Sequence, residues 1–511
     1  MFLPAAAAVA LLAVPRRAPR VVFTSAWAAV TAADLGLVAT AWAGYAPRDG
    51  FGWAENVAWI PSAGIRYHVG VDGLSLPLIA LTDVLFLAVA VYSLREGRQV
   101  KAYVCLFLVL QAVSLGLFAA LDLILFFTFF DLSIVVMYFI IAGWGHGERA
   151  RAASLKFFLY TFTGSLALLL GFIGLYLAAR PHTFDMVTLI RANPLAGRPL
   201  YGGLVLLAVA TGLAIKTPVV PFHTWLPPAH TEAPAAASAI LAGVLLKMGS
   251  YGFVRIAMPV LPAPWRHYAL VFVVIGAVSV LYGALVALAQ DSFKRMIAYT
   301  SVNHMGYVLL AVGAAGLLAG SSAQARALAV TGAVTQMVSH GLLTGALFLL
   351  SGVLLDRGRT YDMGAYSGLA ARTPVFAAVT AVAAFGSLGL PGLSGFIAEF
   401  QIFAGSLPSA TVATAISVTG ILITAALFLG ALQRIFLGPL RVPAPPGPGP
   451  SRPGLPPAWT DPHPAWPDLH PVEAASIIGL LAISAVIGIA PRFLLDVIEP
   501  AARTLVTLVG R

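Results

Sequence analysis

Charge is what this sequence has least of. Only 10% of its residues are Asp, Glu, Lys or Arg, against 59% hydrophobic, whereas a soluble domain carries about 25% charged residues. A chain this apolar cannot cover a water-facing surface, so it belongs in a bilayer. Cysteine is nearly absent. With Cys105 alone the chain can form no internal disulfide, no Cys-ligated iron–sulfur cluster and no zinc-finger site. Phosphate-binding P-loops and a Rossmann glycine fingerprint in strand–helix context are missing too, which argues against binding of NADH, flavin or ATP by this chain. The formal net charge of +10 does not indicate nucleic acid, because the basic residues are scattered through short loops without interleaved aromatics.

Long apolar runs are abundant. Fourteen segments lie near 2–14, 21–45, 74–94, 102–120, 122–143, 157–179, 202–222, 235–258, 269–289, 297–315, 325–354, 374–405, 411–433 and 472–490, each to be compared with the roughly 20 residues a spanning helix needs. The first, Met1 to Val14 before Pro15-Arg16-Arg17, lacks the positive leading region of a signal peptide and reads as a slightly short spanning helix. Seventeen lysines and arginines fall in loops on one face and eleven on the other. By the positive-inside rule this puts the exits of odd-numbered segments in the cytoplasm and both termini outside. Residues 443–471 hold 12 of the 35 prolines and read as an extended cytoplasmic connector.

That count leaves two bases, Lys216 and Lys247, inside apolar segments. Asp34, Asp83, Asp131 and Glu399 join them, with Asp122 near a segment edge. Each such group costs about 2.5–3.5 kcal/mol on insertion scales and tends to mark an ion or proton path. Two segments are broken beside such a group. Segment 7 reads Leu213-Ala-Ile-Lys216-Thr-Pro218-Val-Val-Pro221, and segment 12 reads Gly389-Leu-Pro391-Gly392-Leu-Ser-Gly395-Phe-Ile-Ala-Glu399. Interrupted helices at corresponding places in two halves point to an inverted-repeat transporter with sites near the midplane, with segments 4–8 and 9–13 as the repeats.

Lys247 sits in mid-segment. Apolar surroundings bring the charged and neutral forms of an amine close in free energy, which suits a group that takes and releases a proton each cycle. Asp131 ends the run Phe126-Phe-Thr-Phe-Phe130 and is a candidate switchable partner of Lys216. His304 and His340, on segments 10 and 11, suit a proton relay because histidine titrates near neutrality. His223 and His230 flank a Trp-Leu-Pro-Pro-Ala stretch before Glu232. Their spacing is a weak metal signature, and they are expected to hold a re-entrant loop instead.

The same residues carry a family resemblance. His223-Thr-Trp-Leu-Pro-Pro-Ala-His-Thr-Glu-Ala-Pro234 followed by Leu241-Ala-Gly-Val-Leu-Leu-Lys247 is similar to the core signature of the antiporter-like subunits of respiratory complex I, as are Phe293-Lys-Arg-Met-Ile-Ala-Tyr-Thr-Ser-Val-Asn-His-Met-Gly306 and Val71-Asp-Gly-Leu-Ser75. The resemblance runs from about residue 70 to about 490. It implies an all-α integral membrane fold of about fourteen transmembrane helices in a single polytopic domain over 1–511. Two inverted five-helix repeats, about 102–258 and 269–433, would each contain a broken helix. It also implies roles in proton translocation for Asp131 (one methylene shorter than the family's glutamate), Lys216, Lys247, His304, His340 and Glu399. Glu399 stands where the sister L- and N-type chains carry lysine, which singles out the M-type branch.

The function implied is that of a proton-translocating, non-redox subunit of an NADH:quinone oxidoreductase. It would have no cofactor or metal of its own, with NADH, FMN, iron–sulfur clusters and quinone in other subunits. Partners would be L-, N- and K-type membrane chains and a peripheral arm, in a bacterial plasma membrane. The rivals are a subunit of a multisubunit sodium/proton antiporter or membrane-bound hydrogenase, a stand-alone secondary transporter, and a structural scaffold with fossil charges.

Overall fold

Apolar segments that find no water for their backbone groups must close their hydrogen bonds internally, and they do so as helices. The computed structural model describes residues 2–15, 17–46, 50–443 and 466–510. In chain order its main elements are α1 (Leu3–Ala13), α2 (Arg20–Gly44), β1 (Gly52–Ile60), β2 (Ile65–Val71), α3 (Leu76–Tyr92), α4 (Val100–Ala119), α5 (Leu123–Trp144), α6 (Ala150–Ala178), α7 (Met186–Ala192), α8 (Pro199–Lys216) and α9 (Leu226–Glu232). There follow α10 (Ala235–Val260), α11 (Pro262–Leu288), α12 (Phe293–Gly316), α13 (Ala323–Gly358), α14 (Pro374–Ser387), α15 (Ser394–Ser406), α16 (Thr411–Phe436), α17 (Pro471–Ile489) and α18 (Arg492–Gly510).

The apolar segments are therefore helical, with segment 12 split into α14 and α15 and segment 7 ending its helix, α8, at Lys216 and running on as turn toward α9 beyond it. Among the described residues 11 helices are long and apolar enough to cross a membrane. α1, with 11 residues, rises only about 16 Å against a hydrocarbon core of about 30 Å. The connector predicted over 443–471 falls largely outside the described residues, which omit 444–465.

α10 and α13 form the centre. The apolar stretch of α10 is 100% buried and that of the 36-residue α13 is 94% buried. α13 is flanked by α3, α10, α12, α14, α15, α17 and α18. Close approach of helix backbones rests on small residues. A Cβ at Gly276 of α11 would lie 2.5 Å from the Leu310 nitrogen of α12, and one at Gly212 of α8 would lie 2.5 Å from the Gly164 carbonyl of α6.

Two elements were not anticipated. Strands β1 and β2 pair antiparallel, with Gly52 opposite Val71 and Ile60 opposite Ile65. The hairpin is seated by the Arg66 N–H donating to Asp122 Oδ2 (3.1 Å) and by a His68–Asp185 bond. Asp122 also caps α5, accepting from the Ile124 and Leu125 N–H groups, so it serves the helix start. The second is α18, whose residues Leu494, Val497, Ile498, Leu505 and Val509 are buried while Glu499 and Arg503 pair on its open face.

Two bases assigned to loops are inside the protein. Arg255, near the end of α10, forms an ion pair with Asp72 and donates to the Tyr251 hydroxyl (2.8 Å). Lys294, at the start of α12, is fully buried; it donates to the Ala233 carbonyl and to Tyr361 Oη (3.1 Å). By position Lys294 falls in the loop between segments 9 and 10 and Arg255 near the end of segment 8, and tertiary partners cover both.

Candidate functional site

α8 stops at Lys216 because Pro218 and Pro221 withhold backbone donors. The break keeps its shape through Trp225 Nε1, which donates to the Ile215 carbonyl (2.9 Å), and through the Val220 N–H, which donates to Ser279 Oγ of α11 (2.9 Å). Lys216 thus stands at a helix C-terminus, where unpaired carbonyls favour a cation. Its Nζ donates to Ser133 Oγ of α5 at 3.0 Å and lies 4.8 Å from the centre of the Phe130 ring, a cation–π distance.

Asp131, also on α5, lies beside Ser165 of α6 and within electrostatic reach of Lys216. No ion pair within 4.0 Å joins Asp131 to Lys216 among the described residues. The coupling between them should accordingly be small. In a double-mutant cycle on melting of the detergent-solubilised complex, Asp131→Asn and Lys216→Met are expected to add within about 1 kcal/mol, rather than to show the 3–5 kcal/mol expected when one partner of a contacting buried pair is stranded. A coupling of several kcal/mol would mean that the two side chains meet directly.

Lys247 is held by its own helix and by α13. Over Leu241–Leu245 α10 widens into a π-helical turn, a distortion common at functional sites, and the Ala242 carbonyl accepts from Lys247 Nζ (2.5 Å). The same Nζ meets His340 Nδ1 at 2.5 Å. The His340 and His304 rings lie edge to face, 5.4 Å apart. His304 Nδ1 accepts from Gln336 Nε2 (3.0 Å) and lies 3.8 Å from Glu399 Oε1. Beside this last gap is a cavity of about 10 Å³, lined by His304, Gln336, Ser339, His340, Ser387 and Glu399 among others, with room for about one water.

Glu399 is placed by the second break. The chain leaves α14 through Gly389 (φ +80°) and Gly392 (φ +96°) before α15 begins. A Cβ at Gly389 would lie 2.5 Å from Glu399 Oε2, so glycine both permits the turn and leaves room for the carboxylate.

Four of the six residues singled out from the sequence, Lys247, His340, His304 and Glu399, therefore form one continuous line from α10 to α15. Asp131 and Lys216 form a second group. The two groups approach where α8 ends against α10, since a Cβ at Gly249 would lie 2.5 Å from Thr217 Oγ1. Gln336, which orients His304, was not singled out, although its position four residues before His340 places both on one helix face.

His223 lies in the turn that follows α8 and His230 on the short helix α9, and both pack through their rings. His230 stacks on Phe348 (4.4 Å, 14°) with no hydrogen-bond partner at either ring nitrogen among the described residues, and His223 meets Tyr282 edge-on at 4.9 Å. Asp83 and Asp34 belong to a separate polar group, in which Gln111 donates to Asp83 Oδ1 (2.8 Å) and accepts from Thr31 (3.1 Å).

The chain and its fold have known counterparts. Residues 120–424 match the family model described as NADH:quinone oxidoreductase/Mrp antiporter, transmembrane. The NADH-quinone oxidoreductase subunit M of Rhodobacter capsulatus is 40% identical over 453 residues, 86% of each chain. The F(420)H(2) dehydrogenase subunit M of Methanosarcina mazei is 39% identical over 391 residues, 75% of this chain and 76% of that one. Among solved structures, a chain of respiratory complex I from Thermus thermophilus superposes with a TM-score of 0.85 at 28% identity, covering 100% of this chain and 99% of that one. A chain of the Mrp complex from Dietzia sp. shares the fold, with a TM-score of 0.84 at 23% identity over 99% and 97%. With more than half its length matched by the family model and about two-fifths identity to full-length relatives, the chain belongs to the NADH:quinone oxidoreductase/Mrp antiporter transmembrane family.

Proposed function

We propose that this chain is a proton-translocating membrane subunit of an NADH:quinone oxidoreductase, and that protons pass along Lys247, His340, His304 and Glu399. The observation that carries this reading is the succession of neighbouring titratable side chains, from Lys247 on the fully buried α10 through the two histidines to Glu399 on α15. An amine, two imidazoles and a carboxylate, each within reach of the next, can hand a proton along while the net charge of the line changes by one at most. Lys216 would load the line, and Asp131, within electrostatic reach, would adjust its affinity for the proton. Redox chemistry elsewhere in the assembly would supply the energy. NADH, FMN, iron–sulfur clusters and quinone are assigned to other subunits, and L-, N- and K-type membrane chains and a peripheral arm are the expected partners.

Two further features of this reading concern topology. The fourth segment of 102–258 and the fourth of 269–433 are the broken ones, which supports their pairing as inverted repeats. The location proposed is a bacterial plasma membrane with both termini outside. Cleavage within 443–471 by protease in inverted vesicles, with none in intact cells, is the expected result; the reverse pattern would overturn this orientation.

The antiporter reading differs in its ion. A sodium site needs several oxygens around the cation, carboxylates above all, and of the residues that line this cavity Glu399 alone is acidic, with two imidazoles beside it. With sodium replaced by potassium, ΔpH formation in inverted vesicles driven by NADH is expected to be unchanged at any pH. Loss of transport, restored by millimolar sodium, would defeat the proton-pump reading.

A further inference from the structure

Beside the line of titratable groups runs a second polar feature with no charge in it. Ser339 lies on α13, directly before His340, and lines the same small cavity as His304, His340 and Glu399. Its Oγ is 2.8 Å from Ser394 Oγ at the start of α15, and Ser394 Oγ is 2.7 Å from Ser484 Oγ on α17. The Ser394 N–H also donates to Ser484 Oγ (3.3 Å). All three serines are buried. One turn beyond Ser484, α17 touches the opened backbone of the second break, where a Cβ at Gly488 would lie 2.3 Å from the Gly392 carbonyl carbon. The hydroxyl chain thus leads from the Glu399 cavity across α15 to the last turns of α17.

Serines in helix interiors ordinarily turn the hydroxyl back to their own helix, as Ser476 does toward Val472 and Ser114 toward Leu110. In the chain described, each hydroxyl instead meets another hydroxyl on a different helix. Every such oxygen is both donor and acceptor, so the direction of the chain is reversible. That is the requirement for a proton wire, whereas interhelical adhesion needs only fixed donor–acceptor pairs.

We propose that Ser339, Ser394 and Ser484 form a hydroxyl wire by which protons leave the Glu399 cavity toward the end of α17. This rests on the proton-translocating reading above. One proton released into the cavity binds Ser339 Oγ as that oxygen passes its own proton to Ser394, Ser394 likewise passes one to Ser484, and Ser484 passes one to water at the end of α17. One proton enters, one leaves, no charge stays on the serines, and rotation of the three O–H bonds resets the chain.

The test uses the whole complex in inverted vesicles, with ΔpH formation measured per NADH oxidised. Ser394→Ala should lower that ratio several-fold while NADH oxidation and the yield of assembled complex stay near wild type. Ser394→Thr, which keeps the hydroxyl, should restore it. The Ser394→Ala/Ser484→Ala double variant should be no worse than Ser394→Ala alone, since one break already interrupts a wire. A wild-type ratio in assembled Ser394→Ala overturns the proposal. So does a fall in NADH oxidation and pumping together at constant ratio, the signature of lost adhesion. Glu399→Gln in the same vesicles separates the two levels. If Glu399→Gln fails to pump while Ser394→Ala pumps fully, only the hydroxyl wire falls. If both pump fully, the translocation reading falls with it.

Discussion

Lys247→Ala is expected to abolish proton pumping coupled to quinone reduction while the complex still assembles. Its Nζ bonds His340 Nδ1 and, inside the π-helical turn, donates to the Ala242 carbonyl. His340 Nε2 already has no hydrogen-bond partner among the described residues, so the substitution leaves that ring unsatisfied on both sides. An unpaired buried polar group costs about 1–3 kcal/mol, a loss that a bundle with this much buried surface should survive. Removal of a positioned acid–base group costs about 10²–10⁴-fold in a proton-transfer rate. Lys247→Arg is the sharper companion. Guanidinium keeps the positive charge but does not release its proton in proteins, so it should also fail to pump. Wild-type ΔpH in vesicles carrying an assembled Lys247→Arg complex would show that the position supplies charge and not a transferable proton.

Glu399 should behave as a group that must both hold and release a proton. Glu399→Gln keeps the shape and removes the exchangeable carboxyl, and pumping is expected to fall to background. Glu399→Asp keeps the carboxyl but withdraws it by one methylene from His304, already 3.8 Å away, and should retain part of the activity. Gly389→Ala reaches the same carboxylate from outside. At φ +80° an L side chain is strained by about 1–2 kcal/mol, and its Cβ would lie 2.5 Å from Glu399 Oε2. It should therefore impair pumping in the manner of a displaced Glu399 although no titratable group is changed. Gly389→Ala with full pumping, measured as ΔpH per NADH oxidised, would mean that the position of this carboxylate does not matter.

Local chemistry made much of this legible. Apolar run length located the helices, because a backbone in hydrocarbon has no other way to satisfy itself. Pro218, Pro221, Pro391 and Gly392 located the breaks, because missing N–H groups and permissive φ act within one turn. A scan for long apolar runs passed over α18, whose apolar residues recur on one face at helical spacing, and it passed over the β1/β2 hairpin, whose strands include the exposed Trp53 and Trp59. Both signals were present, but at a period that a search for membrane spans does not sample.

By itself the sequence determined which side chains would be buried charges in a membrane, since composition alone makes Lys216, Lys247, Asp131 and Glu399 costly to place there. Only the tertiary structure decided who meets whom. It drew Lys247, His340, His304 and Glu399 from four separate helices into one line, set Lys216 on Ser133 and apart from Asp131, and hid Arg255 and Lys294 from water. The reason is geometric. The rise and pitch of a helix fix the neighbours of a residue along its own segment, whereas contacts across helices depend on the rotation and depth at which small-residue faces interlock, a property of the whole bundle.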